Sequence, residues 1–259
     1  DCEYNGQPLL SGPVSDCFVR APIDNDICSS EVDNPSPHAW LARWRDSGLF
    51  NLEHACVGVT LSEGTVVSCH EFRGERQGEV TCLMRSHWVY RFNDDGAVDV
   101  SVKVEADESL LPLPRVGAHL ILRKLPETVS WLGRGPHENY PDRKQSADLG
   151  YWCLPREAMH TPYIFPSENG LRTDLRCAQL GDLVIEKLRG DLAFSVSEFD
   201  LDTLMHAQHT NELLSADALH VHIDGFHMGV GGDDSWSPSV KPPYLLSVRE
   251  YCWGFKLRA

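Results

Sequence analysis

The chain has 259 residues with 42% hydrophobic content, enough for one large all-β domain or two ordinary ones with a substantial core. Its 23 Lys and Arg against 38 Asp and Glu give a formal net charge of −15, which repels phosphate backbones and anionic membrane surfaces. The longest apolar runs, 110–113 and 244–248, fall far short of the roughly 20 residues needed to cross a bilayer. The chain is therefore read as a globular protein with no nucleic-acid and no membrane partner.

Predicted elements are mostly strands. In chain order, Pro37 to Arg45 carries Trp40 and Trp44 four apart with Leu41 beside them, and Gly48 follows, which predicts a short helix. Val57 to Leu61 and Val66 to Phe72 read as strands. Thr81 to Phe92 leads through Asn93-Asp94-Asp95-Gly96 into Ala97 to Glu105, where Val98, Val100, Val102 and Val104 alternate with polar residues. That alternation places the valines on one face, and the pair is a β-hairpin with a four-residue loop. His119 to Leu125, Leu183 to Leu188, Leu192 to Glu198, Leu219 to Ile223 and Tyr244 to Lys256 are further strands. Leu201 to His209, with Asp200 as a cap, is a second short helix. Helices do not alternate with strands as in a βαβ protein, so the expected architecture is all-β: a large antiparallel sandwich in a single domain spanning residues 1–259.

Nine cysteines lie at 2, 17, 28, 56, 69, 82, 153, 177 and 252, without C-x-x-C pairs or zinc-finger spacing. With no apolar leader at the start, free thiols in a reducing compartment are expected. The chain starts at Asp1 without a methionine, which suggests a piece of something longer.

Four stretches can carry chemistry. His220, His222, Asp224 and His227 form H-x-H-x-D-x-x-H, and residues two apart on a strand share a face, so they could converge on a metal. With Leu219, Val221 and Ile223 on the opposite face, the competing reading is a strand whose polar side is wet or faces another domain. Trp131 to Asp142, WLGRGPHENYPD, reads as a polar loop broken by Gly133, Gly135, Pro136 and Pro141. It is either a ligand rim or a rigid loop in which Arg134 or Arg143 pairs with Glu138 or Asp142. Pro166 to Gly170 is a turn marked by Asn169-Gly170, with Glu168 as a less favoured candidate carboxylate. Met228 to Val240, MGVGGDDSWSPSV, combines three glycines, two adjacent aspartates and one tryptophan. It is either a turn with Trp236 tucked into the core or a loop offering Trp236 as a platform for a sugar ring. No G-x-S-x-G elbow, H-E-x-x-H helix, P-loop or dinucleotide fingerprint occurs, and a pair of carboxylates for glycosidic cleavage is not visible from sequence.

The segments APIDNDI (21–27), GRGPHENYPDRK (133–144), TPYIFPSENGLR (161–172) and IDGFHMGVGGDDSWSPSV (223–240) together resemble the C-terminal domain of the large bacterial β-galactosidases, glycoside hydrolase family two. The resemblance implies a supersandwich related to the galactose mutarotase fold, cytoplasmic location and, in the complete enzyme, a homotetramer hydrolysing lactose and other β-D-galactosides with retention. It places the catalytic glutamates and the Mg2+ and Na+ ligands in a central barrel outside this chain. This chain is then expected to hold no catalytic residue, metal ligand or cofactor of its own, to be inactive alone, and to partner the remaining domains or a large subunit. It implies one substrate contact, Trp236, stacking on the glucose or aglycone part of the substrate. It gives no role to His220, His222, Glu138 or Glu168, and it suggests an exposed sheet edge near Asp1. The alternative is a stand-alone carbohydrate-binding or aldose-epimerase-like protein on the same sandwich, with His220, His222 or Glu168 as acid/base groups.

Overall fold

The computed structural model describes residues 3–4, 7–29, 34–76, 78–215 and 217–259. Asp1 and Cys2, and with them the expected edge near Asp1, lie outside the described residues. The strands are β1 (Glu3–Tyr4), β2 (Gln7–Pro8), β3 (Ser15–Cys17), β4 (Glu53–Ser62), β5 (Thr65–Arg76), β6 (Glu79–Phe92), β7 (Val98–Ala106), β8 (Arg115–Leu122), β9 (Thr128–Gly135), β10 (Asp148–Pro155), β11 (Cys177–Leu180), β12 (Leu183–Arg189), β13 (Ala193–Ser197), β14 (Leu219–His227) and β15 (Glu250–Arg258). Three short helices accompany them, α1 (Asp24–Ile27), α2 (Trp40–Asp46) and α3 (Leu201–His206).

Nine strands form one antiparallel sheet in the order β10-β9-β11-β12-β15-β7-β6-β5-β4, and four form a second in the order β13-β14-β8-β3. One face of each sheet packs on the other, which is a β-sandwich. From the large sheet, Trp88, Val100, Val102, Val104, Trp131, Ile185, Trp253 and Phe255 enter the core. From the small sheet, Val116, Ala118, Leu120, Phe194, Val221 and Ile223 meet them, with Trp131 edge-on to Phe194 at 5.9 Å between centroids. The hairpin expected at 81–105 forms as β6 and β7, and Val100, Val102 and Val104 are buried as their alternation requires. The eight described cysteines are free. Among the described residues no helix is long and apolar enough to cross a membrane.

The polar loop expected from Trp131 starts instead at Pro136, because β9 runs to Gly135. Its glycines do not break the strand; they let aromatic rings lie on its backbone. A Cβ on Gly135 would come within 2.8 Å of both the Trp131 and the Trp152 rings, and one on Gly133 within 3.2 Å of the Leu175 Cα. Tyr244 to Glu250 likewise departs from the expected strand, which begins at Glu250 after a single helical turn at Pro242–Tyr244. α1 was not foreseen: it forms from the DNDI of the first matched segment, with Cys28 in a left-handed conformation at its end.

Candidate functional site

The four segments singled out in the sequence meet at one end of the sandwich, and charge fixes them there. β14 brings Asp224 opposite Gly117 of β8, where a Cβ would lie 2.1 Å from its carboxylate; only a glycine leaves room for it. Arg115, at the start of β8, donates to Asp224 at 3.1 Å and to Glu168 at 3.0 Å, all three being buried. Burial works against the Arg115 charge, but Asp224 and Glu168 hold it protonated above the usual range. Burial pushes Asp224 up to about 7 and raises Glu168, each against the pull of Arg115. His227 lies 3.7 Å from Glu168 and is kept neutral by burial and by Arg115.

A second buried cation fixes the neighbouring layer. Arg20 makes a two-armed contact with Asp26 of α1, at 2.7 and 2.9 Å, and donates to the carbonyls of Met228 and Gly229, both at 3.2 Å. Bidentate geometry makes this pair directional. Asn25 adds a bond of 2.7 Å to the Val230 carbonyl. From the other side Asp142 accepts from the Val230 and Gly231 amides at 3.1 and 2.7 Å. Gly229 and Gly231 are there for this approach: a Cβ would lie 2.5 and 3.1 Å from the Asp142 carboxylate. In this loop only Gly232 has a positive φ, so close packing and not an unusual backbone angle explains Gly229 and Gly231.

The loop tip is held by its own aspartates. Asp234 accepts from the amides of Trp236 at 3.1 Å and Ser237 at 2.7 Å and from the Ser237 hydroxyl, which holds its carboxyl below the usual range. The Ser239 hydroxyl accepts from the Asp233 amide at 3.1 Å and donates to the Asp234 carbonyl at 3.1 Å. Asp233 pairs with Lys241. On this small scaffold Trp236 is 74% exposed, so of the two readings of the loop the core tryptophan is excluded for this chain.

Beside the loop lies a cavity of about 510 Å3, lined by residues from all four segments, among them Asp24, Asn25, Glu138, Tyr163, Glu168 and Ser235. Of the pairings expected in the polar loop, Arg143 with Glu138 forms, while Arg134 turns to Asp174 and Asp142 to the glycine loop. Glu138 also accepts from the Tyr163 hydroxyl and, at 2.8 Å, from the Gly170 amide. Burial would raise its carboxyl, but these donors outweigh that and hold it below the usual range. Both glutamates of the cavity thus have cationic partners, Glu138 with Arg143 and Glu168 with Arg115.

The H-x-H-x-D-x-x-H residues do not converge on a metal position. Leu219, Val221 and Ile223 point into the core as expected, yet the other face is buried too. His220 and His222 stack with His119 of β8 at 5.2 and 4.8 Å, whereas Asp224 serves Arg115. Among the described residues no group of three or more His, Cys, Asp or Glu is arranged to hold a metal ion.

Arg20 and Arg115 are the members of this site that sequence reasoning missed. Arg20 directly precedes the first matched segment, a signal that could have drawn attention to it. Arg115 sits between Pro114 and an apolar strand, where an isolated charge demands a buried partner.

Comparison with known proteins gives the geometry its context. The family profile "Beta galactosidase small chain" matches residues 1–257. A β-galactosidase of Aeromonas hydrophila is 45% identical over 258 residues, covering 98% of this chain and 25% of that protein. One of Klebsiella pneumoniae is 46% identical over 259 residues, with 98% and 24% covered. The chain thus spans about a quarter of the length of the curated relatives it matches. Among solved structures, a GalM/aldose epimerase homologue from C. elegans aligns with a TM-score of 0.42 and 11% identity over 78% of this chain and 67% of that one. A putative aldose 1-epimerase from Escherichia coli aligns with a TM-score of 0.39 and 14% identity over 80% and 68%.

Proposed function

The chain belongs to the β-galactosidase small-chain family, and on that premise we propose that it forms one wall of the substrate pocket of a β-galactosidase, with Trp236 as the platform on which the leaving-group sugar lies. The observation that carries this reading is an indole held out to solvent by a loop that is fixed at its base by Arg20, Asn25 and Asp142 and at its tip by Asp234. An exposed tryptophan on a mobile loop would lose ordering entropy on every encounter; one held in place has already met that cost. A flat indole suits the apolar face of a pyranose.

In this reading residues 1–259 act as one β-sandwich unit without a catalytic group of their own. The catalytic glutamates and the ligands of the Mg2+ and Na+ used by the complete enzyme lie on its remaining part, and lactose is the reference substrate. The chain's contribution is to bind and orient, which lowers KM for substrates whose leaving group is a sugar. Assembly with the remaining β-galactosidase domains or large subunit, into a homotetramer in the cytoplasm, belongs to the same proposal. The free cysteines fit a reducing compartment. The stand-alone alternative has less support, since His220, His222 and Glu168 are buried and Glu168 is engaged by Arg115.

The test is kinetic. In the assembled enzyme Trp236→Ala should raise KM for lactose by about tenfold, in line with loss of one stacking contact worth about 1–1.5 kcal/mol. The rate on an activated galactoside with a small leaving group should fall much less. Equal losses in every parameter, with an unchanged melting curve, would rule out a binding role.

A further inference from the structure

The cavity beside the glycine loop shares Asn25 and Val230 with the support of that loop, and its construction is that of a ligand pocket. About 510 Å3 lies within the roughly 300–1,000 Å3 common for small-molecule sites. One wall is apolar and presented to solvent: Ile164 is 88% exposed, between Tyr163 and Phe165. Facing the same space are Asp24, whose carboxylate has no ion pair among the described residues, and Ser235, while the Asn25 amide nitrogen beside them donates to the Val230 carbonyl. Ser235 immediately precedes Trp236, so the cavity opens next to the platform.

Its charge selects the kind of ligand. Arg143 is matched by Glu138 and Arg115 by Glu168, so among the lining groups Asp24 is left unbalanced. An anionic ligand would meet a net negative wall and no free cation. A neutral molecule with hydroxyls for Asp24 and Ser235, and a partly apolar face for Tyr163 and Ile164, would satisfy both walls.

We propose that this cavity is a further subsite for a neutral sugar residue, the one that continues a galactoside beyond the ring lying on Trp236. The inference rests on the platform reading of Trp236, because Ser235, which lines the cavity, is its immediate neighbour in the chain. It extends the specificity of the site from disaccharides to longer β-galactosides with unbranched, uncharged leaving groups.

The experiment uses the complete β-galactosidase that contains this chain, with lactose and a β-galactosyl trisaccharide as substrates. The wild-type KM for the trisaccharide should be lower than that for lactose by roughly three- to tenfold, the value of one or two hydroxyl hydrogen bonds with some apolar contact. Asp24→Ala and Ile164→Asp change exposed side chains and should bring the ratio of the two KM values to about one. Melting curves of both variants check that the fold is intact. Equal KM values for the two substrates in the wild type, or a ratio that both variants leave unchanged, would overturn the subsite. So would stronger binding of a trisaccharide whose terminal residue is phosphorylated. Loss of assembly in Ile164→Asp would also overturn it, since the wall would then be a protein interface. Trp236→Ala distinguishes the two ideas: if it leaves KM for lactose unchanged, the platform reading itself fails. If it raises that KM while the trisaccharide shows no advantage, only the subsite fails.

Discussion

Residues 224–236 begin in buried charge and end in an exposed indole, and the two regions obey different physics. At the base, Asp224 and the Arg115–Glu168 pair are taken out of water, so the two carboxylates are tolerated only because Arg115 is shared between them. At the tip, Asp233, Asp234 and Trp236 are solvated, and their hydrogen bonds choose a conformation at little cost or gain in stability. The base therefore sets whether the site exists, and the tip sets what it touches. Substitutions in the two regions should separate stability from binding.

The largest effect is expected at Arg115. Arg115→Ala leaves Glu168 and Asp224 buried without a cation, which should cost about 3–5 kcal/mol in urea unfolding. A loss below about 1 kcal/mol would mean that water already reaches the base, and the contrast would collapse. Gly229→Ala tests the join between the regions. Its Cβ would lie 2.5 Å from the Asp142 carboxylate and 2.9 Å from Tyr244 Cβ, so the loop must move at a cost of about 1–3 kcal/mol. KM for lactose in the assembled enzyme should rise in the same variant, and a stability loss with no change in KM would uncouple Trp236 from its base.

The histidine stack sharpens the comparison through pH. Burial and the neighbouring His220 hold His119 down at about 4, and burial depresses His220 and His222 as well; Arg115 also opposes protonation of His119 and His222, while Asp200 partly favours it at His119 and His220. Unfolded histidine titrates near 6.5. These groups therefore give stability that is complete above about pH 6.5 and is lost as pH falls through the window toward 4. Asp16, raised by burial to about 6, and Asp224, raised to about 7, act in the opposite sense, losing stability as pH rises through those values. The variant difference is thus more telling than the raw profile. His119→Gln should reduce the fall in unfolding free energy between pH 7 and pH 5 attributable to the histidines by about 1 kcal/mol. An unaltered pH dependence would mean that His119 titrates as an ordinary surface histidine.

The smallest change in stability belongs to Asp234→Ala, because its carboxylate sits at the solvated tip of the loop. Freed from its turn, Trp236 should nevertheless bind less well, raising KM for lactose roughly threefold. An unchanged KM would show that the turn does not hold the indole in place.

The strand alternation of Val98 to Val104 and the turn at Asn93–Gly96 made much of the large sheet legible before any coordinates, because burial on one face leaves a period of two in the sequence. Strands β9 and β10 escaped because glycines and aromatics hid that period, and β11 because its four residues are too few to show one; Gly133 and Gly135 serve ring packing that only the fold reveals. The composition of the loop pointed to a tryptophan held out to solvent, and Trp236 is exposed. The roles of Arg20, Arg115 and Asp142 were not legible, since Arg115 acts on side chains far along the chain, Asp142 on distant backbone amides and Arg20 on distant carbonyls as well as on nearby Asp26. The polar face of the histidine motif, favoured in the sequence as wet or facing another domain, is instead buried, because β8 supplies His119 to stack on His220 and His222.

The most direct measurement of the platform is made at Trp236 itself. The assembled enzyme is labelled with 5-fluorotryptophan, and the resonance of residue 236 is assigned by its loss in Trp236→Phe. A non-hydrolysable lactose analogue should shift that resonance saturably, at concentrations matching its inhibition constant, as the leaving-group sugar covers the exposed indole. A resonance that stays in place while the analogue saturates the enzyme would contradict the assignment of Trp236 as the sugar platform.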